Sequence, residues 1–478
     1  MPSSSYLPLE LIRLVLSFLP HHDILHLLLH PPNHDWLYAT ASVVYRRLVL
    51  TQIHQVKSCA HLLEQTHKRR RLGDDGFYST INYALFIRRI DLSALADKSD
   101  LTDGLLLSLA LDAVHLTHLN LYNCFTVTNP VLTKILIHCP HLEKLSLAGA
   151  TSLNVSCFLD HRIDCLRLHT LNLNMSPHFF TNTRRRRRRR RLPPFPKLQE
   201  LKLDMIALII NDYGSSLVAM LDRCANVIRL SLTSLYATQL QRCFDHCPNV
   251  NAITFRRCHF DEGMLASFLS QRRRQLERLE LRGCRVDIQE LAVGDYRRLQ
   301  WFGCREKVVP GDLIPAVSSL TRIECPMTDD VLERLMTHCP SLTHLSYTGK
   351  VAHEILARAL LVWQKTLVWL EMEGDWINGC LGNHIQVLLL HRMKVTADGL
   401  IQLARCFTKT RYLAFEAADD VTSQTLEHAL DIWPCLEGAL CVNQEALMVA
   451  NKETWLDWKW LDTRKTRFTR WKDKDLIE

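Results

Sequence analysis

Arginine and tryptophan recur along the second half of the chain at roughly the spacing of one structural repeat: Arg229, Arg278, Trp301, Arg322, His344 and Trp369, with Arg256 and Arg282 in the same stretch. Guanidinium groups hold carboxylate and phosphate through charge-assisted, often bidentate hydrogen bonds, and Arg and Trp are favoured anchors of protein interfaces. Such a row suits an acidic or phosphorylated segment of a partner. Glu280 and Glu324 are interleaved with the arginines, so the same charges also suit cross-strand ion pairs on a solvated face. Farther along, Glu371, Glu373 and Glu416 make the end of the row acidic, which suits a basic partner patch.

Other chemistries find less support. Cys243 and Cys247 flank His246, with Cys258-His259 nearby, but Cys247 and Cys258 recur as part of a repeated phrase and no second cysteine pair stands at zinc-finger spacing. No metal and no cofactor is expected. The 16 glycines form no phosphate-cradling loop, and neither Gly-x-Ser-x-Gly nor His-Glu-x-x-His occurs, so no catalytic residues emerge and an enzyme is not expected. Seventeen cysteines, an odd number without the dense framework of a small secreted domain, point to reduced thiols in cytosol or nucleus. No apolar run is long enough to span a membrane, and the N-terminus lacks a charged leader and a cleavage site, so neither secretion nor membrane insertion is expected.

The chain has 478 residues, and 58 Lys and Arg against 50 Asp and Glu give a net charge of +8. Eight consecutive arginines, Arg184, Arg185, Arg186, Arg187, Arg188, Arg189, Arg190 and Arg191, account for all of it. They form a solvated loop insertion over 181–196, readable as a nuclear-import signal or polyanion contact, or as a low-complexity expansion tolerated outside the core. With the rest of the chain near neutrality, nucleic acid is an unlikely partner. Lys68 to Arg71 is a second, smaller basic run.

The elements that must position these residues are set by one pattern, an apolar residue followed at +3 and +5 by two more. It runs through Leu116-Leu119-Leu121, Leu142-Leu145-Leu147, Leu276-Leu279-Leu281 and Leu342-Leu345-Tyr347, with fifteen registrations between Ile87 and Leu436 at a mean period of about 25. Each unit supplies a short strand and a helical return, and only stacking buries their shared apolar face. The fold class is therefore α/β: a solenoid with a parallel concave sheet and convex helices, a horseshoe. In that frame Arg229, Arg278, Trp301, Arg322, His344 and Trp369 fall at the third, outward position of their strands, about 4.8 Å from one strand to the next.

The returns carry a phrase of their own. Cys139-Pro140, Cys247-Pro248 and Cys339-Pro340 each precede the next strand by two residues, where proline stops a helix and cysteine is a small buried residue. Thr128, Thr328 and Thr396 stand where helix N-caps are needed, and Cys124, Cys258 and Cys284 follow strands. Together these features resemble the cysteine-containing class of leucine-rich repeats, over roughly residues 87–445.

Residues 7–29 have a different pattern. Glu10, Arg13 and Ser17 fall on one face of a first helix and the remainder is apolar, more than a short two-helix segment can hide within itself. Pro20 stops that helix, Asp23 is placed to cap a second, and Pro31-Pro32 ends it. The opening Leu7-Pro8-x-Glu10, the apolar helix, Leu19-Pro20 and Asp23-Ile24-Leu25 resemble an F-box. That resemblance implies binding to the Skp adaptor of a Skp–cullin–F-box ubiquitin ligase, with Leu7, Pro8, Leu11, Ile12, Val15, Leu16, Leu19, Ile24 and Leu25 as adaptor-facing or motif-core positions. In place of the usual third-helix phrase stand His30 to Asp35, Trp36 and a helix-like Ala41 to Leu50. An apolar hairpin capping the first repeat is the alternative.

The expected organisation is an F-box-like helical module over 5–50, a helical linker over 51–86, the repeat array over 87–445 and a C-terminal capping tail over 446–478. In the tail Trp455, Trp458, Trp460 and Trp471 alternate with basic and acidic residues, so a cap over the last repeat competes with a docking or nucleic-acid stacking role. The implied function is a substrate-recognition subunit of the ligase, in cytoplasm or nucleus, with a protein target on the repeats. A leucine-rich scaffold without ubiquitin chemistry and an RNA-associated adaptor are the competing readings.

Overall fold

The computed structural model describes residues 7–19, 21–72, 81–96, 98–153, 155–158, 163, 167–174, 195–204, 221, 224, 226–373, 384–418, 420–433, 435–436, 438–442 and 447–451. The chain divides into two compact units, Met1–Val250 and Asn251–Glu478. Arg184–Arg191 and the tail tryptophans lie outside the described residues.

The first unit begins with helices α1 (Leu9–Phe18), α2 (His21–Leu29) and α3 (His34–Val44). The Asn33 side chain caps α3, accepting from the Asp35 and Trp36 amides at 3.0 and 3.1 Å. The helix-like stretch expected over 41–50 ends at Val44, and the chain becomes strand β1 (Arg47–Val49). β1 pairs in parallel with β2 (Arg89–Asp91), so the sheet starts well before residue 87. Between them run α4 (Ile53–Leu72), which contains Lys68 to Arg71, and a 3-10 turn over Tyr83–Phe86. The parallel ladder continues through β3 (His118–Asn120), β4 (Lys144–Leu147), β5 (Thr170–Asn174), β6 (Glu200–Asp204) and β7 (Arg229–Thr233). Helical returns include α5 (Asp103–Ala110), α6 (Asn129–His138) and α7 (Ala237–His246).

The second unit continues the same construction. Its parallel strands are β8 (Ala252–Arg256), β9 (Arg278–Arg282), β10 (Trp301–Cys304), β11 (Arg322–Pro326), β12 (His344–Thr348), β13 (Trp369–Glu373), β14 (Val387–Val395), β15 (Tyr412–Ala417) and β16 (Gly438–Val442). A last strand, β17 (Leu447–Asn451), pairs with β16 in antiparallel sense. The returns are α8 (Met264–Arg272), α9 (Asp329–His338), α10 (His353–Val362), α11 (Ala397–Cys406), α12 (Ser423–Ile432) and 3-10 segments at Ile288–Val293 and Gly311–Val317, the latter holding Pro315, which has no amide for an α-helical bond. Each unit is a stretch of leucine-rich-repeat solenoid, parallel strands backed by helical returns. Each strand from β2 to β16 begins two residues after the first position of its repeat.

The Cys-Pro phrase has a structural reason. The Cys139 thiol donates to the Ala110 and Ala113 carbonyls of the preceding return, and that of Cys339 donates to the Val317 carbonyl. Each of these carbonyls also accepts a backbone amide of its own turn, from Ala113, Leu116 and Leu320 respectively, so the thiol adds a second donor where the return ends. Where cysteine is absent, the buried Trp363 and Trp433 indoles do comparable work, donating to the Cys339 and Phe407 carbonyls at 2.9 and 2.7 Å. Thr328 and Thr396 cap their helices, accepting from the Val331 and Gly399 amides. Thr128 departs from that expectation: its hydroxyl donates to Asp103 of the neighbouring repeat at 2.6 Å. The turns that leave β3, β4, β7, β8, β9 and β12 contain a left-handed residue; Gly149 supplies one at φ 79°, with no room for a Cβ beside Asn123.

Candidate protein-interaction surfaces

Helix α1 has apolar residues on two sides. Ile12 and Leu16 turn inward and form a small core with Ile24 and Ala39, with Leu9, Leu19, Leu27, Trp36 and Val44 packed around it. Ile12, Leu16 and Ile24 are thus core of the module and offer no surface to an adaptor. On the other side Leu7, Leu11, Leu14 and Phe18 follow one another at helical spacing, all exposed, with Val15 beside them and Leu25 and Leu29 exposed on α2. Phe18 is 77% exposed and Leu16 is fully buried, two residues apart. Pro8 is also exposed. Sequence reasoning named Leu7, Leu11 and Val15 but missed Leu14, Phe18 and Leu29. The available signal was the excess of apolar residues around the whole helix.

The second surface lies on β8–β13 of the second unit. Register aligns Ala252, Arg278, Trp301, Arg322, His344 and Trp369 in one row, and Thr254, Glu280, Gly303, Glu324, Ser346 and Glu371 in the next. Trp301 is sandwiched between guanidiniums: Arg278 lies 3.1 Å and Arg322 3.9 Å from its ring centre. His344 stacks on Trp369 at 6.0 Å. Gly303 keeps the second row shallow beneath the indole, because a Cβ there would come within 3.2 Å of the Glu280 side chain.

Carboxylates lie under this layer. Glu280 is 1% exposed, paired with Arg278 at 3.0 Å and with Arg282, and accepts from the Thr254 hydroxyl at 3.1 Å. Burial alone works against its charge, but Arg282 and Arg278 outweigh that and hold its pKa below the usual carboxylate value. Arg305, in the turn after β10, pairs with Glu324 and reaches Glu371 at 3.7 Å. Glu371 also accepts from His391 at 2.8 Å and from Ser346 at 2.9 Å. Burial opposes its charge too, and His391 and Arg305 outweigh it. The expectation that Glu371 leaves an acidic end of the row is corrected by these contacts: it is buried and its charge is matched.

Over β8–β12 and the Arg305 turn, five arginines (Arg256, Arg278, Arg282, Arg305, Arg322) face two glutamates. The cross-strand pairs therefore coexist with a cationic surplus. Burial, then Arg278, lowers the pKa of Arg322 to about 10, which still leaves it charged at neutral pH. Burial, then Arg322, lowers that of His344 to about 4, leaving it neutral. Arg229 belongs to the first unit, on β7 beside Glu200, whose charge it and Lys202 hold against burial.

The thiols lie mostly inside. Burial pushes Cys139 up to about 12 and Cys124, Cys304 and Cys339 up to about 11, values that disfavour thiolate. Cys284 shifts downward through a hydrogen bond with Cys258. Cys243 and Cys247 are buried, and among the described residues no group of three His, Cys, Asp or Glu side chains is placed to hold a metal ion. Among the same residues no helix is long and apolar enough to cross a membrane.

No protein-family model matches the chain, and no curated protein sequence matches it. Among solved structures, the Rad7–Elc1 complex of yeast is similar at a TM-score of 0.43 and 16% identity, covering 78% of this chain and 90% of that one. A leucine-rich-repeat protein of Leptospira interrogans is similar at 0.35 and 15%, covering 74% and 96%.

Proposed function

We propose that this leucine-rich-repeat protein is a substrate-recognition subunit of a cullin ubiquitin ligase, with α1 and α2 as an F-box-like dock for a Skp-type adaptor. The observation that carries this reading is the exposed stripe Leu11, Leu14 and Phe18, led into by Leu7, on a helix whose other apolar side is already packed. A helix needs one buried stripe to hold its place, and a second invites a partner. Fully burying one Leu or Phe is worth about 1.5–3 kcal/mol, so a few of these side chains supply an interface core. The Leu7-Pro8-x-Glu10 opening and the Asp23-Ile24-Leu25 step support an F-box-like adaptor site.

In this proposal the repeats hold a protein target, as leucine-rich repeats of the cysteine-containing class do behind an F-box. The β8–β13 face, with Arg256, Arg278, Arg282, Trp301, Arg322, His344 and Trp369, is the leading target surface, and the cationic surplus of its β8–β12 part suits an acidic or phosphorylated segment. Ubiquitin transfer falls to the adaptor's partners, the repeats serving to raise the target's effective concentration. The buried thiols suit the reducing conditions of cytosol or nucleus.

The test is capture of a Skp-type adaptor by the full chain and by Leu11→Asp/Phe18→Asp. Loss of two buried apolar contacts at about 1.5–3 kcal/mol each predicts a loss of affinity of about 100-fold or more. Failure of the unaltered chain to bind the adaptor, or equal binding by the variant, would refute the proposal.

A further inference from the structure

In the second unit, the turns that lead into β9 and β10 carry two arginine pairs, Arg273-Arg274 and Arg297-Arg298. They line a cleft of about 470 Å³, to which Asp295 is the other contributor among the described residues. In three other repeats the three residues before the first buried apolar position are Cys139-Pro140-His141, Cys247-Pro248-Asn249 and Cys339-Pro340-Ser341, and single basic residues, Arg167, Lys197, Lys365 and Lys409, stand in that segment of four more. Only these two adjacent repeats carry an arginine pair in it.

The backbone that presents these side chains is fixed. The Gln275 and Leu276 amides donate to the Arg272 carbonyl at 2.9 and 3.0 Å, that of Tyr296 to the Ala316 carbonyl at 2.9 Å, and that of Leu299 to the Tyr296 carbonyl at 2.9 Å. Leu276, Tyr296 and Leu299 are buried, and Arg272 packs over the Phe268 ring at 4.3 Å. Arg297 pairs with Asp295 at 2.7 Å. Arg273, Arg274 and Arg298 make no hydrogen bond or ion pair among the described residues. Four guanidiniums against one carboxylate give the described lining of the cleft a formal charge of +3.

Like charges gathered within a Debye length, about 8–10 Å at physiological salt, repel one another, and a multivalent anion among them removes that repulsion. The planar donor fork of Arg matches phosphate oxygens, and a phosphate monoester carries about −1.5 to −2 at neutral pH. The cleft volume also falls within the range of about 300–1,000 Å³ typical of small-ligand sites. The geometry points to a binding site for a phosphate-bearing anion in this cleft, held by Arg273, Arg274 and Arg298 with Arg297 steadied by Asp295. The site uses no residue of the proposed adaptor dock or of the Trp301 row, and gives the protein a ligand whose charge complements the turns.

Isothermal titration of the full chain with inorganic pyrophosphate, and separately with a phosphoserine peptide, tests it. One saturable site is expected, weakened at least tenfold in Arg274→Gln/Arg298→Gln. Both side chains are exposed, so the variant should keep its circular dichroism spectrum and thermal midpoint. Tighter binding of the peptide assigns the phosphate to a modified protein, and tighter binding of pyrophosphate to a small metabolite. No saturable heat from either probe, or equal affinity in the variant, overturns the inference; so does an RNA oligonucleotide that binds more tightly than both.

Discussion

The two candidate surfaces are exposed for opposite reasons. On α1, Leu11, Leu14 and Phe18 face solvent, with no described residue of the module covering them. On β9–β13 the side chains facing outward are largely matched to one another: Glu280 by Arg278 and Arg282, Glu371 by His391 and Arg305, Trp301 by two guanidiniums. The apolar surface gains free energy from almost any complementary partner that buries it. The charged surface must exchange existing contacts for new ones, so a partner there gains only from the surplus charge and from fit. A general adaptor suits the first and a selective target the second.

That contrast is sharpest in stability. Leu16→Ala should lower the unfolding free energy of the N-terminal helices by about 2–5 kcal/mol, as buried leucine truncations do, while Phe18→Ala two residues away should stay within about 0.5 kcal/mol. Urea titrations followed by tryptophan fluorescence compare the two. Similar losses would mean that Phe18 is packed and that the apolar surface is not free.

On the charged side, Glu280→Gln should cost about 2 kcal/mol. Removing one member of a buried ion pair costs about 3–5 kcal/mol, and the partial exposure of Arg278 and Arg282 lets water compensate some of it. The shift of the urea midpoint measures it. No shift would indicate that the arginines on this face need no internal partner and are wholly available to a target.

The smallest effect is in the pH dependence. His344 is held down to about 4 when folded, against about 6.5 when unfolded. Between these values the unfolded chain binds a proton that the folded chain excludes, so stability is full above about 6.5 and falls as pH drops toward 4. The lowered carboxylates Glu280 and Glu371 act in a lower window, losing their contribution as protonation sets in below their usual pKa. His344→Gln should therefore flatten the difference between urea midpoints at pH 7.5 and pH 5. An unchanged difference would remove His344 from the charged side of the comparison.

Much of this was legible in the amino-acid order. The L-x-x-L-x-L spacing located all the strands from β2 to β16, because each inward residue must meet the same core at every turn. β1 was missed because an aromatic residue opens its triad: Tyr45, Leu48 and Leu50 keep the +3 and +5 spacing. β17 was missed because it runs against the pattern, pairing antiparallel where the repeat calls for parallel. The outward row was found by position, but Arg305 was not, since it sits in a turn and reaches Glu324 and Glu371 through the length of its side chain. Periodicity alone could not tell Ile12 and Leu16 from Leu11 and Phe18, because every side of α1 but one is apolar. Only packing against α2 and α3 decides which stripe is inside.

The early start of the sheet has a mechanical consequence. Only Tyr45 and Arg46 separate α3 from β1, and the Arg46 carbonyl accepts from both the Arg88 and Arg89 amides at 3.0 Å. Tyr38 and Tyr45 lock the same corner against Phe86 and Tyr83, with ring centres 4.8 Å apart in each pair. The N-terminal helices are thus joined to the first strands without a swivel. A torque applied at α1 is felt by β1 and β2 as rotation, and a chain cut at residue 51 or 87 loses the strand that covers the edge of β2.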